Sequence, residues 1–171
     1  MAGMTLIELL VVLVIMGVLL AWAVPSFNTM IQSNRVASEA NGFVGDLQFA
    51  RAEAVKKGQF VSICPANAAG TGCASSTTAW QSGWIVFDDP NKNGIVDTSE
   101  NLLRKQGKWK GTDTFVASSN AVITFSRDGF ATGLTGDVKL TLKTEPENTS
   151  ATRCVVVSLV GRQQVKVGAC S

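Results

Sequence analysis

The amino-terminal part of the chain is almost continuously apolar. Every residue in the run Leu9–Val24 is apolar or glycine, and the five residues before it add only Thr5 and Glu8 as polar positions. A membrane span needs about 20 such residues, whereas a helix in a soluble protein is rarely apolar on all its faces. The pattern therefore predicts the membrane-spanning half of a helix over residues 4–25.

A secretory signal peptide is the alternative interpretation of this segment. Ala21-Trp22-Ala23 has the small-x-small pattern of a signal cleavage site. A signal peptide would also carry basic residues before its apolar run, and the first basic residue here is Arg35. The membrane-spanning helix is therefore the preferred prediction.

A second helical pattern follows Pro25. Apolar residues recur there mostly three, four or seven positions apart, with polar residues between them. Two lysines followed by Gly58 are typical of a helix end. The sequence thus predicts one helix from about Thr5 to Lys57, whose second, amphipathic half covers residues 26–58. The apolar positions of this half are Phe27, Met30, Ile31, Ala37, Ala40, Val44, Leu47 and Ala54.

Short apolar segments separated by Gly, Asn, Asp and Ser follow, and they predict strands. Because no second long helix is visible, residues 59–171 are expected to form a β-rich globular head. The predicted fold class is α+β, with the long amino-terminal helix packed on an antiparallel β-sheet. The predicted strands cover residues 59–63, 83–87, 102–105, 121–125, 138–142, 155–159 and 163–167.

Composition excludes several kinds of enzyme. Among 171 residues there is no histidine, so Ser-His-Asp and Cys-His catalysis and histidine-ligated zinc or haem are excluded. The carboxylates that could act as a pair, among them Asp88, Asp97 and Glu100, lie in one turn-rich loop rather than a cleft. We therefore expect no enzymatic activity.

One acidic segment fits a calcium-binding pattern. Residues 89–100 match D-x-[DN]-x-[DN]-G-x5-E, which supplies oxygen ligands and a sharp turn to a hard cation. The segment follows a predicted strand rather than a helix, so a polar hairpin loop around Asn93-Gly94 is the alternative. Apart from calcium, no cofactor is expected. The calcium ligands would be Asp89, Asn91, Asn93, Ile95, Asp97 and Glu100.

Four cysteines predict disulfides in a chain delivered outside the cytoplasm. Three connectivities are possible, and proximity in sequence favours Cys64–Cys73 and Cys154–Cys170. The separations do not supply the closely spaced pairs that a four-thiolate zinc site needs.

The string Gly3-Met4-Thr5-Leu6-Ile7-Glu8, followed by the apolar run, resembles the prepilin signature of type IV pilins and type II secretion pseudopilins. The resemblance implies that a prepilin peptidase removes residues 1–3 by cutting between Gly3 and Met4, and then methylates the new amino terminus. Family members usually have phenylalanine where this chain has Met4.

Glu8 would have a physical role in such a subunit. An unpaired carboxylate in hydrocarbon costs about 2.5–3.5 kcal/mol. The amino terminus of Met4 on an adjacent subunit would supply a cation at the same depth, and the pair would set the axial stagger of incoming subunits. The alternative is that Glu8 lies at the headgroup level without a role.

The head resembles the GspH/FimT family of minor pilins and pseudopilins. The resemblance implies a minor pilin that assembles into, primes or caps a type IV pilus. The alternatives are a pilus-associated DNA receptor for natural transformation and a minor pseudopilin of type II secretion. The segments that carry the resemblance are Leu47–Val55, Val61–Cys64, Gly83–Asp88, Arg153-Cys154, Gly161-Arg162 and Cys170.

The same resemblance implies partners and a location. The partners would be other major and minor pilins, contacted through the helix, and the prepilin peptidase. The chain would first cross the bacterial inner membrane once, with its head in the periplasm, and then enter the pilus or reach the cell surface.

The DNA-receptor alternative depends on basic residues near the carboxyl terminus. Part of the family has a Gly-Arg-x-Arg pattern, of which Gly161-Arg162-Gln163-Gln164 keeps only the first arginine. Arg162 and Lys166 would share one face of a strand, and Arg153 is the third cation of a segment without acidic residues. These three could contact the phosphates of double-stranded DNA. The alternative is an ordinary solvated strand.

Overall fold

The structure is a computed structural model that describes residues 5–75, 78–109, 111–119 and 122–171. In this part of the chain it has one long helix, α1 (Leu6–Lys57), a short 3-10 turn (Trp80–Ser82) and nine strands. The strands are β1 (Val61–Pro65), β2 (Trp84–Asp88), β3 (Leu102–Gln106), β4 (Thr114–Ala117), β5 (Ile123–Phe125), β6 (Ala131–Thr132), β7 (Val138–Lys143), β8 (Arg153–Val157) and β9 (Gln163–Val167).

Helix α1 has capping residues at both ends. Thr5 and Glu8 form a capping box, in which each side chain accepts a hydrogen bond from the backbone N–H of the other residue. At the other end Gly58 adopts the left-handed conformation, with φ of 64°, and its N–H donates to the Val55 carbonyl. The predicted helix bounds therefore agree with the structure.

The two halves of α1 have different surroundings. Of the side chains described between residues 6 and 31, all are exposed except the half-buried Ala23. We call residues 6–31 the stem. The second half presents one buried face to the head, at the spacing of three and four that an amphipathic helix requires. The buried positions are Val36, Ala40, Phe43, Leu47, Ala50 and Ala54.

Two antiparallel sheets complete the head. The five-stranded sheet has the order β3-β2-β1-β5-β6, and the four-stranded sheet has the order β4-β7-β8-β9. Strands of both sheets contact α1. Phe43 of the helix lies where they meet, with its ring 5.1 Å from Trp80, 5.0 Å from Trp84 and 4.9 Å from Phe115.

The strand prediction was incomplete. It did not include the four-residue β4, although three of its residues, Phe115, Val116 and Ala117, are apolar, and it did not include the two-residue β6. It also placed the starts of β1 and β8 two residues off. The N–H of Gln59 donates to the Ala54 carbonyl at the end of the helix, so β1 begins only after this residue. Strand β8 ends at Val157 because the turn 158–162 follows it. Part of the predicted strand 121–125 lies outside the described residues, and β5 covers its end.

Candidate functional site: the stem and the carboxyl-terminal hairpin

The amino end of the stem carries its single acidic residue. The Glu8 carboxylate accepts hydrogen bonds of 3.4 Å from the backbone N–H and the hydroxyl of Thr5. All of these groups are exposed, and the carboxylate lies in the first turn, where the helix dipole favours negative charge. Glu8 is therefore available to a neighbouring molecule. The predicted cleavage residues Gly3 and Met4 lie outside the described residues.

The stem meets the length and hydropathy that a membrane span requires. Helix α1 is 52 residues long, which corresponds to about 78 Å at ~1.5 Å per residue. Its amino-terminal apolar window has a mean hydropathy of 2.8, and none of that window is buried in the head. The stem is thus an apolar surface that the chain itself leaves uncovered.

Strands β8 and β9 form an antiparallel hairpin with two different faces. Val155 and Val157 point into the core beside α1, whereas Val156 and its partner Gln164 point away from it. The second set belongs to what we call the outer face of the four-stranded sheet, together with Lys139, Thr141, Cys154 and Lys166. The hairpin therefore separates residues that are close in sequence.

Arg153 is not on the outer face. Its guanidinium donates to the carbonyls of Ser150 and Thr152 at 3.0 and 2.9 Å, and to the Ser33 hydroxyl of α1 at 3.1 Å. It thus fastens the start of β8 to the helix. Alternation along the strand turns Arg153 toward α1, so this candidate DNA-binding cation lies on a different face from Lys166.

Arg162 and Lys166 do lie on the same side. Arg162 belongs to the turn before β9, not to the strand, and its guanidinium lies against the side-chain amide of Gln164. Lys166 follows Gln164 by two residues and, like Arg162, is exposed. Asp137 lines the same shallow depression as Arg162 and Gln164, so an acidic group borders the patch.

Gly161, which precedes Arg162, has a structural role. Its φ is 74°, and a Cβ there would lie 2.1 Å from the Gly129 carbonyl oxygen. Only glycine therefore lets the turn 158–162 pack against the turn that contains Gly129.

Two further lysines lie on the outer face and were not predicted there from the sequence. Lys139 and Lys143 alternate with buried residues along β7, and this alternation is the signal that could have placed them. Both already have partners. Lys139 contacts the carbonyl of Ser171, and Lys143 lies 3.0 Å from Glu147. Lys166, by contrast, has neither a side-chain hydrogen bond nor an ion pair to another described residue.

The acidic segment 89–100 forms a turn held by its own hydrogen bonds. Asp89 is fully buried, and its oxygens accept from the Ser62 hydroxyl at 2.6 Å and from the N–H groups of Asn93 and Gly94. The amide nitrogens of Asn91 and Asn93 both donate to the Asp97 carboxylate, at 2.8 and 2.9 Å. The donors of this turn thus occupy oxygens that a cation would need.

The Glu100 carboxylate also has a hydrogen-bond partner inside this turn. Its Oε2 accepts from the backbone N–H of Asp97 at 3.0 Å. Burial raises the pKa of the Glu100 carboxyl, with a smaller opposing effect from this hydrogen bond. No group of three acidic, cysteine or histidine side chains suited to a metal occurs in the described ranges. In the described residues the arrangement matches the alternative of a polar hairpin loop, whose own donors already use oxygens of Asp89 and Asp97.

Two disulfides join the pairs that proximity in sequence favoured. Cys64 of β1 is bonded to Cys73, and Cys154 of β8 is bonded to Cys170. The second bond draws the last residues of the chain over the outer face, where the N–H of Cys170 also donates to Thr141 at 3.4 Å. The tail therefore covers part of the surface around Lys139.

Comparisons with known proteins agree with this architecture. Residues 39–161 match the family described as type II transport protein GspH, and residues 1–24 match the prokaryotic N-terminal methylation motif. The pilin-like protein PilA1 of Thermus thermophilus is 30% identical over 173 residues, which covers 96% of this chain and 97% of the relative.

Solved structures show the same fold. Two crystal structures of the type IV minor pilin FimU of Pseudomonas aeruginosa superpose with TM-scores of 0.58 and 0.55 at 23% identity. Each covers 78% of this chain, and they are themselves covered to 89% and 91%. With a methylation motif, an uncovered apolar stem and a head of this fold, the chain belongs to the GspH family of pilin-like proteins.

Proposed function

We propose that this chain is a minor pilin that assembles into a type IV pilus, where it primes or caps the filament. The observation that carries the proposal is the stem. About half of α1 is apolar and uncovered, yet the same helix continues without interruption into the core of the head. Bundling with other such helices would bury this surface without any change in the head.

Processing and location follow from the amino-terminal motif. The prepilin peptidase removes residues 1–3 and methylates Met4. Before assembly the stem crosses the inner membrane, with residues 4–25 in the bilayer and the head in the periplasm. Assembly then moves the chain into the pilus or to the cell surface.

Glu8 aligns the incoming subunit in this proposal. Its carboxylate leaves Thr5 and pairs with the amino terminus of Met4 on a neighbour, so that both charges are neutralised in the apolar bundle. The 3.4 Å hydrogen bonds to Thr5 are long for contacts to a charged group, and a direct ion pair can replace them.

The test uses the full chain in its own bacterium. Sheared pili are collected, and mass spectrometry determines their content of this chain and its amino-terminal residue. We expect the chain to begin at methylated Met4 and Glu8→Gln to lower its pilus content at least tenfold. The control is Glu147→Gln in the head, which leaves the content unchanged. A chain that keeps its first three residues, or a Glu8→Gln variant with normal pilus content, contradicts the proposal.

A pseudopilin of type II secretion remains the second assembly role, supported by the match to the family described as type II transport protein GspH. Deletion separates the two. Loss of pili with normal secretion supports the pilus, and trapped secreted enzymes with normal pili support the secretion system.

DNA binding is the other candidate, and the observation that favours it is the exposed pair Arg162 and Lys166 on one side of the hairpin. The detergent-solubilised chain is titrated with double-stranded DNA at several salt concentrations. In the double variant Arg162→Ala, Lys166→Ala the slope of log K against log salt should fall by about 2, since each phosphate contact contributes about 0.9. The matched control removes two exposed cations elsewhere in the head, Lys92→Ala in the turn after β2 with Lys105→Ala in β3. Equal retention by both double variants contradicts a receptor role.

A further inference from the structure

A groove on the side of the head combines acidic and aromatic residues. Its floor is a turn of α1, and its walls come from β2, the end of β3 and the segment that follows β3. Its first lining residue on α1, Ser38, lies about two helical turns beyond the stem, at ~3.6 residues per turn. The lining residues used below are Glu39, Gly42, Asp46, Trp84, Gln106 and Trp109.

The two carboxylates of the groove differ in their partners. Asp46 is fully satisfied, since it accepts from the indole N–H of Trp84 at 2.7 Å and from Arg104 at 2.7 Å. Glu39 has no such partner: its Oε2 is buried and accepts no hydrogen bond from any described residue. Burial without a partner is unfavourable for a carboxylate.

The arginine best placed to pair with Glu39 is engaged elsewhere. Arg35 lies one turn earlier on α1, but both of its hydrogen bonds go to Asp113 at 2.7 Å. Burial and, to a smaller extent, the Asp113 carboxylate raise the pKa of Glu39 to about 7, and the attraction of Arg35 opposes this only in part. Among the residues that the structure describes, no cation forms an ion pair with Glu39.

The walls of the groove suit a cationic side chain. Trp109 is half-buried and packs edge-to-face on Trp84, with ring centroids 6.1 Å apart, and parallel to Phe115 at 5.4 Å. This packing fixes the indole beside the carboxylates. A guanidinium or ammonium group is attracted both to an indole face and to a carboxylate.

The groove also lies where a neighbouring subunit would pass. Gly42 is exposed on its floor, and a Cβ at that position would meet no atom within 4 Å. A chain packed along the stem can therefore approach the α1 backbone closely at this point.

We propose that this groove receives a lysine or arginine side chain of a neighbouring pilin subunit, which pairs with Glu39 and packs on Trp109. The inference rests on the proposed assembly function and adds a specific head contact to the contacts of the stem. Occupation supplies Glu39 with an ion-pair partner, which no described residue of the chain provides. The groove thereby favours neighbours that carry a basic residue at the matching height.

Photo-crosslinking in the living cell tests the groove and the stem separately. A photoreactive amino acid replaces Gln106 at the groove or, in a second strain, Phe27 on the stem, and the products are identified by mass spectrometry. From Gln106 we expect a product with another pilin, joined within a few residues of a lysine or arginine. Glu39→Gln and Trp109→Ala should each lower its yield at least fivefold, and Glu147→Gln should not change it.

A charge exchange completes the test. Replacing the partner's basic residue by glutamate should remove the product, and adding Glu39→Lys should restore it. Crosslinking from Phe27 with no product from Gln106, or with a product insensitive to Glu39→Gln, overturns the groove and leaves the assembly function standing. Absence of pilin products from both positions overturns the assembly function as well.

Discussion

Arg35 of α1 and Asp113, just before β4, form a two-point ion pair, in which Nε and Nη2 donate to the two carboxylate oxygens at 2.7 Å each. Asp113 is almost completely buried and also accepts from the N–H of Glu145 at 3.3 Å. One carboxylate therefore joins the helix, the start of β4 and the segment that follows β7.

Replacing Arg35 should destabilise the head. Arg35→Ala leaves the buried Asp113 carboxylate without its cation, which we expect to lower the free energy of unfolding by about 2 kcal/mol. The measurement is urea unfolding of the full chain in detergent, followed by the fluorescence of the buried Trp80 and Trp84. Lys56→Ala serves as the control, because it removes an exposed pair worth about 0.5 kcal/mol. Equal midpoints for the two variants would contradict the role of Arg35.

The pH dependence of stability should reflect Glu39. Its pKa is raised from 4.5 to about 7 in the folded chain, so between these values the folded state binds more protons than the unfolded state. Stability should therefore fall as pH rises from about 4.5 to about 7 and change little from this group above that.

Glu39→Gln provides the measurement. The variant should melt at a higher temperature than the original chain at pH 8 and at a similar temperature at pH 4.5, in thermal unfolding of the full chain in detergent. Glu100, whose pKa burial also raises, contributes a remaining slope of the same sign. A lower melting temperature for Glu39→Gln at pH 8 would mean that Glu39 has a favourable partner in the free subunit.

Gly161 should be much less tolerant of substitution than Gly133, although both have φ near 75°. Gly133→Ala meets open space, so it should cost only about 1 kcal/mol for the backbone conformation. Gly161→Ala also brings its Cβ against the Gly129 carbonyl, and the total should exceed about 2 kcal/mol. Denaturation midpoints of the two variants compare them directly, and similar losses would show that the two turns can move apart.

Loss of the carboxyl-terminal disulfide should expose part of the outer face in addition to lowering the free energy of unfolding. Cys154→Ser with Cys170→Ser opens a loop of 16 residues, at a cost of about 3 kcal/mol. It also frees the tail that covers part of the outer face. Hydrogen exchange should increase at the amides of β7 and β8 beside that tail, and not in β2, if the tail is held by this bond.

Local signals in the sequence were enough to predict the helix. The apolar run, the polar Thr5 and Glu8 at one end and Gly58 at the other all indicate the same element. Strand β4 has only four residues, and Phe115 is buried through its packing against Phe43 of the helix. Propensity cannot show a contact of that kind between distant segments.

The hydrogen-bond and ion-pair partners of side chains were harder to predict than the helix and the strands. Arg35 precedes Glu39 by four residues, a spacing that favours a pair on an isolated helix. The tertiary partner Asp113 takes the arginine instead. The direction of Arg153 depended in the same way on strand register and on Ser33 across the fold.

The continuity of α1 has a mechanical consequence. Helix α1 contains both the residues that would anchor the subunit and residues that fill the centre of the head. A pull on the anchored end is therefore transmitted along α1 into the layer between the two sheets. The force needed to pull α1 out of the head would then depend on the packing of Val36, Phe43 and Leu47 rather than on any linker.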